Sequence, residues 1–150
     1  MLGGFGFLSA SGKETADVPP PGKFAAADDR LRLANLRIMI VEDEVFIAMA
    51  IEDALASAGA TIIGPVMSVS GGLDLLTRET EIDGAILDIN LDDGPVFSIA
   101  ERLRAQGIPI IFHTAYAGSV AISGAFPDAV ICVKPTLNER LVSLAAARFG

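Results

Sequence analysis

Carboxylate side chains stand at the ends of two apolar, strand-like segments of this 150-residue chain. Glu42 and Asp43 directly follow the first of these segments, and Asp88 closes a later one. If the two segments are neighbouring strands of a parallel sheet, their carboxyl ends meet at one edge, and the three carboxylates converge on a small pocket. Like charges at close range cannot all stay ionised without a compensating cation. The pattern therefore predicts a site for Mg²⁺, which prefers carboxylate, water and phosphate oxygens.

Two further polar residues, Thr114 and Lys134, close other strand-like segments. With Asp88 as a nucleophile toward a phosphoryl group, Lys134 supplies a second positive charge and Thr114 a hydroxyl donor for the phosphoryl oxygens. Phosphoryl transfer of this kind depends mainly on positioning and charge neutralisation, so it needs no histidine base. The single histidine, His113, is interpreted as a strand-end side chain and not as a metal ligand.

The segments that carry these residues alternate between strand and helix patterns. Apolar runs typical of buried strands cover 37–41, 61–66, 84–88, 108–113 and 129–133, and helical spacing covers 44–58, 69–78, 95–106 and 136–149. This alternation indicates an α/β protein with a doubly wound parallel sheet that helices cover on both faces. In the first helix, Phe46, Ile47, Ala50 and Ile51 share one apolar stripe. The stretch 115–128 makes a poor helix, so we expect a short or irregular fourth helix there.

Composition divides the chain into a flexible N-terminal arm, 1–35, and a folded domain, 36–150. Residues 1–22 are rich in glycine, serine and proline, which is typical of extended or mobile segments. An alternative is that the arm docks on a partner or on the chain itself, because Phe5 and Phe7 are costly to leave in water.

Charge and apolar content exclude several classes of function. The net charge of -8 argues against direct DNA binding, because contact with phosphates needs stripes of lysine and arginine. The single cysteine excludes an intrachain disulfide framework. No apolar run reaches the roughly 20 residues that a membrane span requires, and no signal sequence is recognisable. We therefore expect a cytoplasmic protein without a membrane partner.

The strand-end motifs, taken in order, resemble the receiver domain of bacterial two-component response regulators over about residues 35–150. These motifs are Val41-Glu-Asp-Glu44, Ile86-Leu-Asp-Ile-Asn90, Phe112-His-Thr-Ala-Tyr116 and Val133-Lys-Pro135. The resemblance implies a flavodoxin-like fold, in which the five parallel strands have the spatial order 2-1-3-4-5.

The same resemblance assigns roles to the acidic residues. It implies that Asp88 accepts a phosphoryl group from a histidine kinase or from a histidine phosphotransfer protein. It also implies that Glu42 and Asp43 hold Mg²⁺ together with Asp88 and with the backbone carbonyl of Asn90.

The resemblance is less complete at the residues that transmit the signal. Thr114 and Lys134 match the switch hydroxyl and the lysine of the family. Receivers usually carry Phe or Tyr three residues before that lysine, where this chain has Ile131. Tyr116 is therefore the switch candidate, and the motif that begins at Phe112 partly matches the Phe-Ala-Thr-Gly-Tyr signature of a receiver subgroup.

The resemblance favours a stand-alone response regulator, which is a signalling domain and not an enzyme. It would act on a downstream protein by contact, by phosphate transfer or by forming a homodimer, and we expect no output domain after Gly150. Two alternatives stay open. One is a metal-dependent phosphatase or phosphotransferase with an Asp nucleophile, although such haloacid-dehalogenase-type enzymes carry Asp-x-Asp on the first strand. The other is a pseudo-receiver that is not phosphorylated, which the complete set of strand-end residues argues against.

Overall fold

A computed structural model describes residues 32–115 and 120–150 of the chain. The strands within them are β1 (Arg37–Val41), β2 (Thr61–Val66), β3 (Gly84–Leu87), β4 (Asn90–Leu91), β5 (Gly94–Pro95), β6 (Ile110–Thr114) and β7 (Val130–Val133). Five of them form one parallel sheet in the order β2-β1-β3-β6-β7. Because β4 and β5 pair only with each other, as a small antiparallel hairpin, this order is the predicted 2-1-3-4-5. The flavodoxin-like fold is therefore confirmed.

The helices of the described residues connect these strands and cover the sheet. They are α1 (Val45–Ser57), α2 (Val69–Arg78), α3 (Phe97–Ala105), α4 (Val120–Ala125) and α5 (Asn138–Phe149). The fourth is short, with six residues, as the poor helical pattern of 115–128 predicted. None of the helices in this part of the chain combines the length and the apolar character needed to cross a bilayer.

Side chains of the central strands alternate between two apolar cores, one on each face of the sheet. Ile38 and Ile40 of β1 belong to the core that α1 and α5 cover, whereas Met39 and Val41 belong to the core under α2 and α3. All four are essentially inaccessible to solvent. Burial of each such side chain contributes roughly 1.5–3 kcal/mol, which is why the strands are apolar without interruption.

The N-terminus of α2 is held by two side chains. Ser68 Oγ accepts a hydrogen bond from the N–H of Gly71 at 3.0 Å. Asp93, in the turn between β4 and β5, accepts from the N–H groups of Val69 at 2.8 Å and Ser70 at 3.1 Å. These side-chain oxygens satisfy helix-end N–H groups that have no partner inside the helix. The hydrogen bonds from Val69 and Ser70 also lower the pKa of Asp93.

Residues just before β1 pack on the domain. Leu33 is fully buried in the core that α1 and α5 cover, and its N–H donates to the carbonyl oxygen of Ala58 at 2.9 Å. The sequence placed this residue in the arm, 1–35, so the packed body includes at least the end of that segment. Residues 1–31 lie outside the described part of the chain.

Candidate functional site

The carboxyl ends of three strands place charged side chains at one edge of the sheet. Glu42 and Asp43 follow β1, Asp88 follows β3, and Lys134 follows β7. The N–H of Lys134 donates to the carbonyl oxygen of Thr114 at 2.8 Å, which fixes the end of β7 beside the end of β6. The strand order thus brings together residues that are up to 92 positions apart in the sequence.

A cleft of about 380 Å³ opens above this edge. It is lined by Asp43, Glu44, Asp88, Asn90, Asp92, Thr114, Ala115 and Lys134. Glu42 lies beneath it with 1% of its surface exposed. Asp92 is not among the site residues predicted from the sequence. Its place in the loop after β3, shortly after Asp88, would have been reason to predict it.

Three carboxylates of this edge form a compact cluster. One oxygen each from Glu42, Asp43 and Asp88 lie within 4.8 Å of one another. Burial, reinforced by the charge of Asp88 and opposed by a hydrogen bond from Lys134, raises the pKa of Glu42 to about 7. Burial and the charges of Asp88 and Asp92 also raise the pKa of Asp43. The cluster therefore favours any ligand that brings positive charge.

Lys134 supplies part of that charge. Its Nζ lies 2.9 Å from Oε1 of Glu42 and 3.2 Å from Oδ2 of Asp88, and its side chain is 11% exposed. Burial alone would lower the pKa of Lys134, but the hydrogen bonds and charges of the two carboxylates outweigh it and raise that pKa. When all three carboxylates are ionised, the single ammonium leaves two negative charges, and the carboxylate atoms are hard oxygens. The donor set therefore fits a divalent cation such as Mg²⁺.

The structure describes only some of the positions that bear on signal transmission. Tyr116 lies outside the described residues. Ile131 is a half-buried apolar side chain of β7 that packs against the core under α2 and α3. Thr114 is 1% exposed at the end of β6, in the lining of the cleft.

His113 is buried at the end of β6, with 4% of its surface exposed. Neither of its ring nitrogens has a hydrogen-bond partner among the residues that the structure describes. Burial, with a smaller contribution from the charge of Lys134, lowers the pKa of His113 to about 4. The imidazole is therefore neutral in the folded protein at physiological pH.

This burial makes stability depend on pH. Since the pKa of His113 is about 4 when folded and 6.5 when unfolded, the unfolded state binds more protons between these values. The histidine therefore stabilises the fold fully above pH 6.5, and its contribution is lost as the pH falls toward 4. Between pH 7.5 and 5 we expect it to lower the free energy of unfolding by about 2 kcal/mol.

Urea unfolding of the wild-type chain and of His113→Leu at several pH values measures this effect. The variant should lose about 2 kcal/mol less than the wild type over that interval, because leucine does not titrate. Other titrating groups are common to both chains and cancel in the difference. Parallel curves for the two chains would show that the histidine is not the origin of the pH dependence.

An apolar patch is exposed beside the acidic cleft. We call it the α1 patch, and it consists of Val45, Phe46, Met49 and Leu137, of which Phe46 is 86% exposed. A second cleft of about 560 Å³ runs between α1 and the start of α5 and shares Lys134 with the acidic cleft. The sequence places Phe46 in the apolar stripe of the first helix, yet this side chain is exposed. The buried residues of α1 are Ala48, Ile51 and Leu55, so only part of the stripe, including Ile51, is buried.

Comparisons with known proteins agree with this geometry. The sequence model of the response regulator receiver domain matches residues 38–144, which span β1 to most of α5. No curated protein sequence matches the chain.

Solved structures of response regulators and of their receiver domains are similar to this chain. Response regulator PhyR from Brucella abortus is 29% identical with a TM-score of 0.69, over 84% of this chain and 52% of that one. The chain thus spans about half the length of the Brucella protein. The receiver domain of PhyR from Erythrobacter litoralis is 26% identical with a TM-score of 0.65, over 76% of this chain and 90% of that one. A receiver protein from Sinorhizobium medicae is 25% identical with a TM-score of 0.65, over 74% and 90% of the two chains.

Proposed function

The chain belongs to the response regulator receiver domain family, and from this premise we propose that it is a signalling receiver that accepts a phosphoryl group on Asp88. The observation that carries the proposal is the convergence of three carboxylates and Lys134 at the carboxyl edge of the sheet. The donor would be a histidine kinase or a histidine phosphotransfer protein. We also propose a cytoplasmic location and a downstream protein partner, reached by contact, phosphate transfer or homodimerisation.

The proposed chemistry is a transfer between two proteins. An Asp88 oxygen attacks phosphorus as the bond from phosphorus to the donor's histidine nitrogen breaks, and the nitrogen keeps the electron pair. The ammonium of Lys134 and the hydroxyl of Thr114 would bind the phosphoryl oxygens. Since Asp88 is 7% exposed, the attacking oxygen has little water to displace.

Magnesium has a defined place in the proposal. Glu42, Asp43, Asp88 and the carbonyl of Asn90 would hold the ion, which supplies charge neutralisation for the incoming phosphoryl group. The phosphatase alternative has less support, because its Asp-x-Asp motif belongs on the first strand, whereas this chain carries Asp88-x-Asn90 after β3.

We expect phosphorylation to require a divalent cation. Intact-mass analysis after incubation with acetyl phosphate should show one phosphate adduct with Mg²⁺ and none with EDTA. Asp43→Asn should slow formation of the adduct by about tenfold or more, because the site loses a charged ligand. Asp53→Asn, an exposed carboxylate on α1, is the matched control and should react like the wild type. Equal reaction with EDTA would contradict the metal site, and no adduct from any donor would favour the pseudo-receiver.

The α1 patch gives the protein donor a place to dock. Phe46, one of its residues, lines the cleft that shares Lys134 with the acidic site, so a protein bound there can present a phosphohistidine to Asp88. Large exposed apolar side chains grouped beside a polar site are typical of protein interfaces. We therefore propose that the phosphodonor protein covers Phe46 and Leu137 during transfer.

Phe46→Ser should separate docking from chemistry. With a purified histidine kinase that phosphorylates the wild-type chain, we expect transfer to slow by about tenfold or more, because the variant loses a large interface side chain. With acetyl phosphate the rate should stay unchanged, since Phe46 does not line the acidic cleft. Met67→Ser, an exposed apolar residue between β2 and α2, is the control. Equal slowing with both donors would place the effect in the site and not in docking.

A further inference from the structure

A third cleft lies at the opposite edge of the sheet from Asp88. It has a volume of about 420 Å³ and opens where β6 and β7 begin and α3 and α5 end. Phe126 forms its floor, and the segments 107–110 and 127–129 form its walls. This volume is in the range of about 300–1,000 Å³ that is typical of small-molecule sites.

Two arginines from different helices line this cleft. The guanidinium of Arg104, on α3, lies 5.6 Å from the ring centroid of Phe126. Nη2 of Arg148, on α5, donates to the carbonyl oxygen of Asp128. An arginine in the last turn of a helix often serves only to cap that helix. Here each guanidinium instead contacts the segment 126–128, on the wall and floor of the cleft.

Charge sets this cleft apart from the rest of the molecule. The chain carries a net charge of -8, yet two arginines and only one acidic residue, Asp128, line the cleft. A guanidinium has five N–H donors. Arg104 contacts the ring of Phe126, and Arg148 uses Nη2 on Asp128 and has its Nε buried, so donors on the other nitrogens are left for a ligand. Arginine donors on two sides of one cleft match the oxygen atoms of a phosphate group.

We propose that this cleft binds a small molecule through its phosphate group, held by Arg104 and Arg148. The apolar wall formed by Ile108, Pro109 and Pro127 would contact the remainder of the ligand. The site is separate from Asp88, so the proposal does not depend on phosphorylation of the chain. It assigns a ligand class to a face of the domain that the proposed receiver function does not use.

Isothermal titration calorimetry with pyrophosphate as the probe tests the site. EDTA in the buffer keeps a metal-bound phosphate out of the acidic cleft. We expect saturable binding by the full chain, and Arg104→Gln and Arg148→Gln should each weaken the affinity by about tenfold or more. Arg102→Gln is the matched control, because this exposed arginine of α3 does not line the cleft and should leave binding unchanged.

Several outcomes would overturn the proposal. These are the absence of saturable binding, an affinity in both arginine variants equal to that of the wild type, or a loss in Arg102→Gln as large as in those variants. Acetate bound as tightly as pyrophosphate would refute the assignment of the ligand class. If Arg148→Gln fails to fold by circular dichroism, Arg104→Gln decides alone, because this side chain is exposed.

Discussion

Asp88→Asn is expected to remove the phosphate adduct completely, with a histidine kinase and with acetyl phosphate alike. The carboxylate is the proposed nucleophile, and an amide of the same shape cannot take its place. The substitution also removes one of the three charges that make the site attractive to Mg²⁺. We therefore expect the largest effect of any single change in the molecule. Intact-mass analysis in Mg²⁺ is the measurement.

The structure supplies a matched control for this experiment. Asp92 lines the same cleft and is exposed, but its oxygens do not belong to the compact cluster. Asp92→Asn should therefore keep the adduct. An adduct that persists in Asp88→Asn, and that peptide mapping places on Asp92 or Asp43, would refute the assignment of the acceptor.

Lys134→Ala should have the second largest effect, and that effect is on stability. Its Nζ contacts the carboxylates of Glu42 and Asp88, and both of these residues are at least nine-tenths buried. Without the ammonium, these two buried carboxyl groups have no counter-charge, so they either repel each other or one of them must take up a proton. We expect the free energy of unfolding in metal-free buffer to fall by about 1–3 kcal/mol. Urea denaturation measures this loss.

Mg²⁺ and a second substitution distinguish this cause from simple loss of packing. The cation should restore most of the lost stability, because it replaces the missing positive charge. Glu42→Gln in the Lys134→Ala background should also recover part of it, since one of the unpaired charges disappears. A double-mutant cycle would then show strong coupling between the two positions. Additive effects, with no response to Mg²⁺, would mean that Lys134 stabilises the fold through its aliphatic chain alone.

The sequence was sufficient to predict the sheet and the positions of the acidic residues. Runs such as Arg37–Val41 and Gly84–Leu87 are apolar without interruption because both faces of the sheet are covered, and a parallel sheet places its carboxyl ends at one edge. The polar residue after each run was therefore expected near the others. The structure brings Glu42, Asp88 and Lys134 into direct contact, although their roles stay predictions.

Features that depend on distant contacts could not be predicted in this way. The hairpin of β4 and β5 has two residues in each strand, which is too short to leave a periodic pattern. The exposure of Phe46 depends on how α1 is rotated against the sheet, and an apolar stripe does not fix that rotation within one residue. The pairing of Lys134 with Glu42 requires the whole sheet to be in place.

The hydrogen bonds from α2 to Asp93 have a consequence for communication across the domain. Asp93 lies in the turn that follows Asp88, so the position of this turn and the first turn of α2 are joined by two bonds, 2.8 and 3.1 Å long. A displacement of the turn must either carry the helix end with it or break both hydrogen bonds. A protein that binds α2 and prefers one position of the turn would therefore be coupled to ligand binding at Asp88. Such coupling is reciprocal, so ligand binding at Asp88 would change the binding free energy of that protein by the same amount. The carboxylate of Asp93 thus links the loop that follows Asp88 to the N-terminus of α2.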